Sequence, residues 1–241
     1  MMPVDALSRH YVIQPAPRAV VPTAGGGLFP VRRIFCIARN YAAHAREMGG
    51  DPNREAPFFF TKPADAVLPV RTGETGEFRY PQASRDVHHE IELVVALGSG
   101  GADLSPAAAS ACIWGYAVGL DMTRRDLQAE AKAKGRPWDI AKAFDASAPI
   151  SQIVPAQGRV LQSGEIRLDI NGETRQRGDL SDMIWSVPEV IAFFSRYFQL
   201  QAGDLIFTGT PEGVGPVAIG DRLHGTVEGA GVLDLLVVDG R

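Results

Sequence analysis

The sequence predicts a β-rich α+β fold with few helices. The 241-residue chain holds 26 glycines and 17 prolines, more than globular proteins use on average, and no low-complexity stretch accounts for them. So many turn-forming glycines and prolines favour many short strands joined by turns. Short apolar runs bounded by turn residues outnumber segments of helical periodicity, and no repeat or linker divides the chain. We therefore expect one main domain over residues 31–241, preceded by an N-terminal extension over residues 1–30.

The first part of the chain contains two predicted strands and one predicted helix. Residues 1–30 are broken by Pro and Gly, which predicts an extended arm or short strands leading into an apolar strand over 31–37. Asn40 stands where the N-cap of a helix over 41–48 should be, because Asn can accept a hydrogen bond from a free N–H of the first turn. A Gly-Gly pair ends that helix. Residues 58–63 predict a short buried strand between two prolines.

The rest of the chain alternates strands with three predicted helices. Ser105 and Pro106 supply an N-cap and a first-turn proline before an Ala-rich helix, since proline is tolerated where no N–H is needed. The Asn171-Gly172 pair after an alternating segment is a strong hairpin signal. The predicted strands are 88–98, 115–122, 165–170, 204–208 and 222–227, and the other helices are 124–134 and 187–198.

Charge and hydropathy exclude two classes of partner. The chain has 24 Lys and Arg against 28 Asp and Glu, which argues against nucleic-acid binding because phosphate contacts need a clustered basic face. The pair Arg124-Arg125 is offset by Asp121 and Asp126, so we expect it on a solvated or salt-bridged surface. The longest uncharged run, 104–120, is shorter than the roughly 20 residues that span a bilayer. We expect no membrane partner.

The cysteines and the N-terminus predict a cytoplasmic protein. Cys36 and Cys112 lie far apart and belong to no CxxC or CxxH motif, so neither a disulfide framework nor a zinc site is expected, and a reducing compartment fits best. The first residues include Asp5 and lack an apolar stretch with a cleavage site.

Three acidic residues form a candidate metal site. Glu90 and Glu92 are two apart in a predicted strand and therefore project to the same face, while Asp121 ends another apolar strand. The Glu-x-Glu pattern alone is ordinary on a solvated edge strand, but the apolar flank 93–97 predicts burial on both faces. Unpaired buried carboxylates are costly, so a hard divalent cation is favoured. His88 shares the face and would suit zinc or iron instead.

Further residues could act in catalysis or binding. His44 and Glu47 are three apart on the predicted helix, so they can touch, and a carboxylate can orient an imidazole as a general base. Lys142 lies in an apolar stretch and must either snorkel to the surface or meet a buried anion. The Gly-rich turn 208–215 follows a strand; it lacks nucleotide-binding spacing, but its N–H groups and the Thr210 hydroxyl could hold a substrate oxygen.

Together these segments resemble the fumarylacetoacetate hydrolase family, and in particular its acylpyruvase branch. Six motifs occur in family order between about residues 30 and 235; the departure is Ala38, where many relatives have Gly. The motifs are RNYAAH at 39–44, FFTKP at 59–63, HEIEL at 89–93, GYAVGLDMT at 115–123, KAFD at 142–145 and TGTPEGVG at 208–215. The segments REMG at 46–49, RRDLQ at 124–128 and GRPW at 135–138 resemble the same branch.

The resemblance implies a mixed β-sandwich roll, usually assembled as a homodimer, with a catalytic domain over residues 31–241. It also implies that an Mg²⁺ or Mn²⁺ ion takes part in hydrolysis of an acylpyruvate, foremost fumarylpyruvate from the gentisate route of aromatic catabolism. The implied metal ligands are Glu90, Glu92 and Asp121; the catalytic residues are His44, Glu47 and Lys142; the substrate contacts are Arg39, Gln128 and Thr210.

Two other readings remain open from the sequence. The same metal site would support decarboxylation of oxaloacetate or isomerisation of an oxo-dioate, although a water-activating His44 and Glu47 pair favours hydrolysis. The second reading is that the protein binds a metal ion without catalysing a reaction. The partner of a distal substrate carboxylate also stays open among Arg39, Lys62, Arg124 and Arg125.

Overall fold

The computed structural model describes residues 11–43 and 56–240 and is built mostly from short strands. The strands are β1 (Val20–Pro22), β2 (Leu28–Pro30), β3 (Arg33–Ala38), β4 (Phe58–Lys62), β5 (Val67–Val70), β6 (Gly76–Arg79), β7 (Val87–His89), β8 (Ile91–Leu97), β9 (Ile113–Leu120), β10 (Thr123–Arg124), β11 (Ala148–Ser151), β12 (Val154–Pro155), β13 (Glu165–Ile170), β14 (Glu173–Asp179), β15 (Asp204–Phe207), β16 (Gly215–Pro216), β17 (Arg222–Val227) and β18 (Gly231–Val238). This strand content confirms the predicted β-rich α+β class.

The helices of the described ranges are few and short. They are α1 (Pro106–Ala111), α2 (Arg125–Ala133), α3 (Asp139–Lys142) and α4 (Val187–Ser195), with 3₁₀ turns at Ala64–Ala66 and Leu180–Asp182. The predicted capping of α1 is present, because the Ser105 hydroxyl oxygen accepts a hydrogen bond from Ala108 N at 3.3 Å. None of these helices is long and apolar enough to cross a lipid bilayer.

Two sheets pack face to face around the main core. The larger has the order β4-β3-β15-β8-β9-β11-β5, with β12 joined to β9, and the smaller has the order β14-β13-β17-β18-β6. The larger sheet is mixed, since β15 runs parallel to β3 and antiparallel to β8. Gly225 of β17 permits close approach: a Cβ there would lie 3.0 Å from Ile91 and 3.4 Å from Val118. Apolar side chains from both sheets fill the space between them.

The opposite face of the larger sheet carries a second core. Leu93 and Val95 of β8 belong to the first core, whereas Val94 belongs to the second, as the alternation of side chains along a strand requires. Val21 of β1 and Phe29 of β2 pack into this second core. Both faces of β8 are therefore covered, which explains why all seven of its residues are buried.

The chain changes sheets at Glu90. His88 and His89 of β7 pair with β10 and β16 in a small three-stranded sheet, whereas β8 pairs with β9 from Ile91 onward. The single strand predicted over 88–98 is therefore interrupted, because its two parts pair with different neighbours. The carbonyl oxygen of Glu90 accepts a 2.9 Å hydrogen bond from Asp121 N, so two acidic residues face each other where the sheets meet.

Other local predictions hold with small changes. Asn171 and Gly172 form the hairpin turn between β13 and β14, with φ values of 53° and 84°, as a turn with two left-handed residues requires. Phe58 lies in the predicted strand but is 52% exposed, so that strand is only partly buried. Helix α4 ends at Ser195, earlier than predicted. Residues 44–48 of the predicted 41–48 helix lie outside the described residues.

Candidate active site

Three buried carboxylates meet at the junction of the two sheets. Glu90 follows β7, Glu92 lies in β8, and Asp121 follows β9. One carboxylate oxygen from each lies within 4.8 Å of the others, and the three residues are 7%, 2% and 1% exposed. The tertiary structure thus brings together the three ligands expected from the sequence, and burial of all three rules out the solvated-edge alternative.

The Gly-rich turn holds Glu92 in place. The N–H of Gly209 donates a 2.8 Å hydrogen bond to Glu92 Oε2. Gly209 has a φ of 93°, and a Cβ at this position would lie 2.7 Å from the Cβ of Asn40, so only glycine fits. The Asn40 amide nitrogen donates to Trp185 O and Thr208 O at 2.9 and 2.8 Å, which ties three loops together beside the carboxylates.

Two buried lysines neutralise part of this acidic cluster. Lys142 of α3 donates to Glu90 Oε2 at 2.8 Å, to Asp121 Oδ2 at 2.5 Å and to Thr123 Oγ1 at 2.6 Å, which uses all three ammonium protons. Lys62 of β4 lies 2.8 Å from Asp121 Oδ1 and donates to Lys142 O. The sequence alternatives for Lys142 are resolved, since it meets a buried anion.

The pKa values of Lys142 and Glu92 reflect burial and the neighbouring charges. Burial lowers the pKa of Lys142, but the carboxylates of Asp121 and Glu90 outweigh this and leave the pKa raised. Burial, together with Asp121 and Glu90, raises the pKa of the Glu92 carboxyl well above its usual range. An unfavourably buried carboxylate beside two others needs additional positive charge.

The donor set fits a hard divalent cation. All three groups offer carboxylate oxygens, which Mg²⁺ and Mn²⁺ prefer. Within the described ranges, this is the only group of three or more His, Cys, Asp and Glu side chains close enough to share an ion. His88 Nε2 lies 2.9 Å from Asp86 Oδ1 and His89 Nδ1 lies 2.9 Å from Gln176 Oε1, so neither histidine belongs to the group.

A pocket opens above the carboxylates and is rich in cationic and aromatic side chains. The predicted contacts Arg39, Gln128 and Thr210 line it, as does Lys142. Gln128 is 2% exposed and accepts a 2.7 Å hydrogen bond from Arg125. The remaining lining residues are Ile37, Ala38, Phe60, Glu90, Glu92, Asp121, Arg125, Lys132, Trp138 and Gly209. His44 and Glu47 lie outside the described residues.

The structure gives definite partners to several residues whose role the sequence left open. The basic pair was expected on a solvated or salt-bridged surface, with both arginines also candidates for a distal substrate carboxylate. Arg125 is salt-bridged, with Nη2 2.5 Å from Glu90 Oε1, but it lines the pocket. Its spacing of three from Gln128 on a helix is the signal that links it to the site. Arg124 instead stacks 4.2 Å over the Phe144 ring. Lys62, a sequence candidate for the distal substrate carboxylate, is instead paired with Asp121, because the β3–β4 pairing brings it there.

Buried Gln176 is a residue of this site that the sequence did not single out. It is 1% exposed, and its Oε1 accepts from Ile91 N at 3.0 Å and also meets the His89 ring. Its Nε2 donates to Thr210 Oγ1 at 2.9 Å and to Pro211 O at 2.8 Å. Since Thr210 Oγ1 accepts this bond, its own proton stays available as a hydrogen-bond donor.

The chain resembles known proteins over most of its length. The profile described as "Fumarylacetoacetate (FAA) hydrolase C-terminal" matches residues 33–238. Among curated proteins, a fumarylpyruvate hydrolase from a Ralstonia species is 47% identical over 187 residues, 78% of this chain and 95% of the relative. A mitochondrial oxaloacetate tautomerase from Arabidopsis thaliana is 46% identical over 198 residues, 82% of this chain and 86% of the relative.

A solved structure is similar to the whole described architecture. The crystal structure of fumarylpyruvate hydrolase from Pseudomonas aeruginosa, in complex with Mn²⁺ and pyruvate, superposes with a TM-score of 0.93 at 52% sequence identity. The match covers 95% of this chain and 100% of that chain. That protein therefore binds a divalent metal and a small oxo acid on the same fold.

Proposed function

Because this chain belongs to the fumarylacetoacetate hydrolase family, we propose that it is a metal-dependent hydrolase that cleaves a carbon–carbon bond of an acylpyruvate. Fumarylpyruvate is the foremost substrate, with water yielding fumarate and pyruvate. The observation that carries this proposal is the buried group of Glu90, Glu92 and Asp121 beneath a cationic pocket. Fumarylpyruvate hydrolases among its relatives, at 47% and 52% identity, support the choice of substrate.

Glu90, Glu92 and Asp121 would hold the Mg²⁺ or Mn²⁺ ion. When bound, such an ion acts as a Lewis acid that polarises substrate oxygens. The carboxylates contribute three negative charges, and Lys62, Lys142 and Arg125 are ion-paired with them. The divalent ion would therefore give this balanced cluster a net positive charge, which favours an anionic substrate.

The other pocket residues bind and orient the oxo acid. Arg39 and Gln128 supply N–H donors for the oxygens of the pyruvate part, and Thr210 donates its hydroxyl proton. Lys142, whose three ammonium protons already donate to Glu90, Asp121 and Thr123, would stabilise developing negative charge on a substrate oxygen through its positive charge alone. These contacts hold the scissile bond in one orientation over the pocket floor.

His44 and Glu47 would activate the water. In the predicted helix, Glu47 orients the imidazole, and His44 takes a proton from water as its oxygen attacks the acyl carbonyl carbon. The bond between that carbon and the pyruvate methylene carbon then breaks, and its electron pair leaves with the methylene carbon. Protonation of this carbon gives pyruvate, while the acyl carbon becomes the carboxyl carbon of fumarate.

Tautomerisation of oxaloacetate is a second candidate function. It is favoured by relatives named oxaloacetate tautomerase, at 46% identity in Arabidopsis thaliana and 40% in Escherichia coli. Tautomerisation, like decarboxylation or isomerisation of an oxo-dioate, breaks no bond by attack of water. Full activity of a His44→Ala variant would therefore favour these reactions over hydrolysis.

The decisive experiment follows the enol absorbance of fumarylpyruvate. Wild-type protein is assayed with Mg²⁺ or Mn²⁺ and again with chelator, and fumarate and pyruvate are quantified. Metal-dependent loss with equal amounts of both products supports the hydrolase. Absence of loss in a folded, metal-loaded sample that converts oxaloacetate would overturn it in favour of the second candidate.

We also propose that the protein acts as a homodimer in the cytoplasm, within the gentisate route of aromatic catabolism. The family resemblance supports this assembly. Light scattering coupled to size-exclusion chromatography measures the mass directly, and a single species at the monomer mass of 25.9 kDa would contradict the dimer.

A further inference from the structure

The pocket contains more positive charge than its carboxylates require. Lys62, Lys142 and Arg125 are ion-paired with the acidic cluster. Arg39 and Lys132 also line the pocket, and no carboxylate of residues 11–43 or 56–240 lies within ion-pair distance of either. Among the described residues, these two exposed cations at the wall of a concave site have no carboxylate partner, which favours a ligand that brings negative charge.

Lys132 is aligned with the other polar residues of α2. Arg125, Gln128 and Lys132 are spaced by three and four residues, so they share one face of the helix, and all three line the pocket. The rise of about 1.5 Å per residue separates the Cα atoms of Arg125 and Lys132 by about 10 Å. An extended chain spans about 1.2 Å per bond, so the two carboxyl carbons of a seven-carbon dioate lie about 7 Å apart. Gln128, which the proposed function places at the pyruvate part, is separated from Lys132 by about 6 Å along the helix, a spacing close to the length of such a ligand.

Trp138 holds the Lys132 ammonium group at the rim. The Lys132 Nζ lies 4.9 Å from the Trp138 ring centroid, a cation–π distance that restricts an otherwise flexible side chain. Partial burial and the nearby cations Arg125, Arg39 and Lys142 lower the pKa of Lys132. An anion bound between these groups would relieve that repulsion.

From this geometry we infer that Lys132, held by Trp138, binds the second carboxylate of a dicarboxylic acylpyruvate and makes the site selective for such substrates over neutral acyl chains. This inference rests on the proposed function and narrows its substrate class. Lys132 was absent from the residues that the sequence suggested for this carboxylate. Of those, Lys62 and Arg125 are already paired with Asp121 and Glu90.

The test compares two substrates that differ in the distal carboxylate. The ratio of kcat/KM for fumarylpyruvate to that for acetylpyruvate is measured with the Mn²⁺-loaded wild type, Lys132→Met and Lys132→Arg. Lys134→Met is the matched control, since Lys134 is the C-cap residue of the same helix but pairs with exposed Glu130. We expect the ratio to fall about tenfold in Lys132→Met, the size of one charge-assisted hydrogen bond, and to recover largely in Lys132→Arg. An unchanged ratio in Lys132→Met would overturn the inference.

A binding measurement separates this inference from the proposed function. Calorimetry with Mn²⁺-loaded protein compares fumarate with crotonate, which has a methyl group in place of one carboxylate. We expect Lys132→Met to weaken fumarate about tenfold relative to crotonate. If the wild type hydrolyses neither acylpyruvate, the proposed function fails, and the fumarate comparison alone decides the role of Lys132. Equal loss for both ligands would overturn that role, as would no loss for either.

Discussion

Lys62 and Asp121 form an ion pair in the interior, with Nζ 2.8 Å from Oδ1 and side chains that are 0% and 1% exposed. Removing one partner of a buried pair leaves the other charge uncompensated, which costs about 3–5 kcal/mol. The pair lies beside the candidate metal ligands, so its contribution to stability depends on what else neutralises Asp121.

We predict that Lys62→Met destabilises the protein more in chelator than with Mn²⁺, because a bound divalent ion partly replaces the lost charge. Urea unfolding of wild type and variant in both conditions measures the difference. Lys134→Met serves as the exposed-lysine control and should change the free energy of unfolding by less than about 1 kcal/mol in either condition. Equal destabilisation of Lys62→Met with and without metal would contradict the placement of the ion.

Glu92→Gln should separate metal binding from folding. The substitution removes one of three mutually repelling carboxylates, so the metal-free variant should be at least as stable as metal-free wild type. Its affinity for Mn²⁺ should fall at least tenfold, because a ligand charge is lost. For wild type, an ion at 100 times its Kd stabilises the fold by about 2.7 kcal/mol, and thermal unfolding with and without Mn²⁺ checks both effects. A variant stabilised by Mn²⁺ as much as wild type would exclude Glu92 as a ligand.

Gly209→Ala and Gly220→Ala form a matched pair. Both glycines have positive φ, 93° and 96°, but a Cβ at Gly209 would lie 2.7 Å from Asn40 Cβ, whereas nothing lies within 4 Å at Gly220. The left-handed backbone conformation should lower the free energy of unfolding of each alanine variant by about 1–2 kcal/mol. Gly209→Ala should cost clearly more and should also weaken Mn²⁺ binding, since Gly209 N holds Glu92 Oε2. Equal free energies of unfolding for the two variants would show that the contact with Asn40 relaxes freely.

Gln176→Met should be strongly destabilising, because every hydrogen-bonding group of the amide is paired in the interior. An apolar side chain leaves several buried partners unsatisfied, at about 1–3 kcal/mol each. Exposed Gln201→Met is the control. We expect KM for the oxo acid to rise more than kcat falls, since freed Thr210 no longer points its proton at the substrate. A loss confined to stability would mean that Thr210 is not a substrate contact.

Local patterns predict much of the fold, because they report which backbone states a segment favours. Asn171-Gly172 predicts the hairpin turn, Ser105-Pro106 predicts the start of α1, and the apolar run after Glu92 predicts a strand covered on both faces. The break at Glu90 is not predictable in this way, since residues on both sides of it have strand character and only their different pairing partners separate β7 from β8.

The sequence by itself determined the fold class, the family and the three carboxylates, because these depend on residue type, spacing and order along the chain. The tertiary structure decided which charges meet. Lys62 lies 59 positions from Asp121 in the numbering, and Gln176 lies 34 positions from Thr210; strand pairing and loop closure bring each pair together. Electrostatic and hydrogen-bond energies depend on distance and burial, which local sequence does not encode.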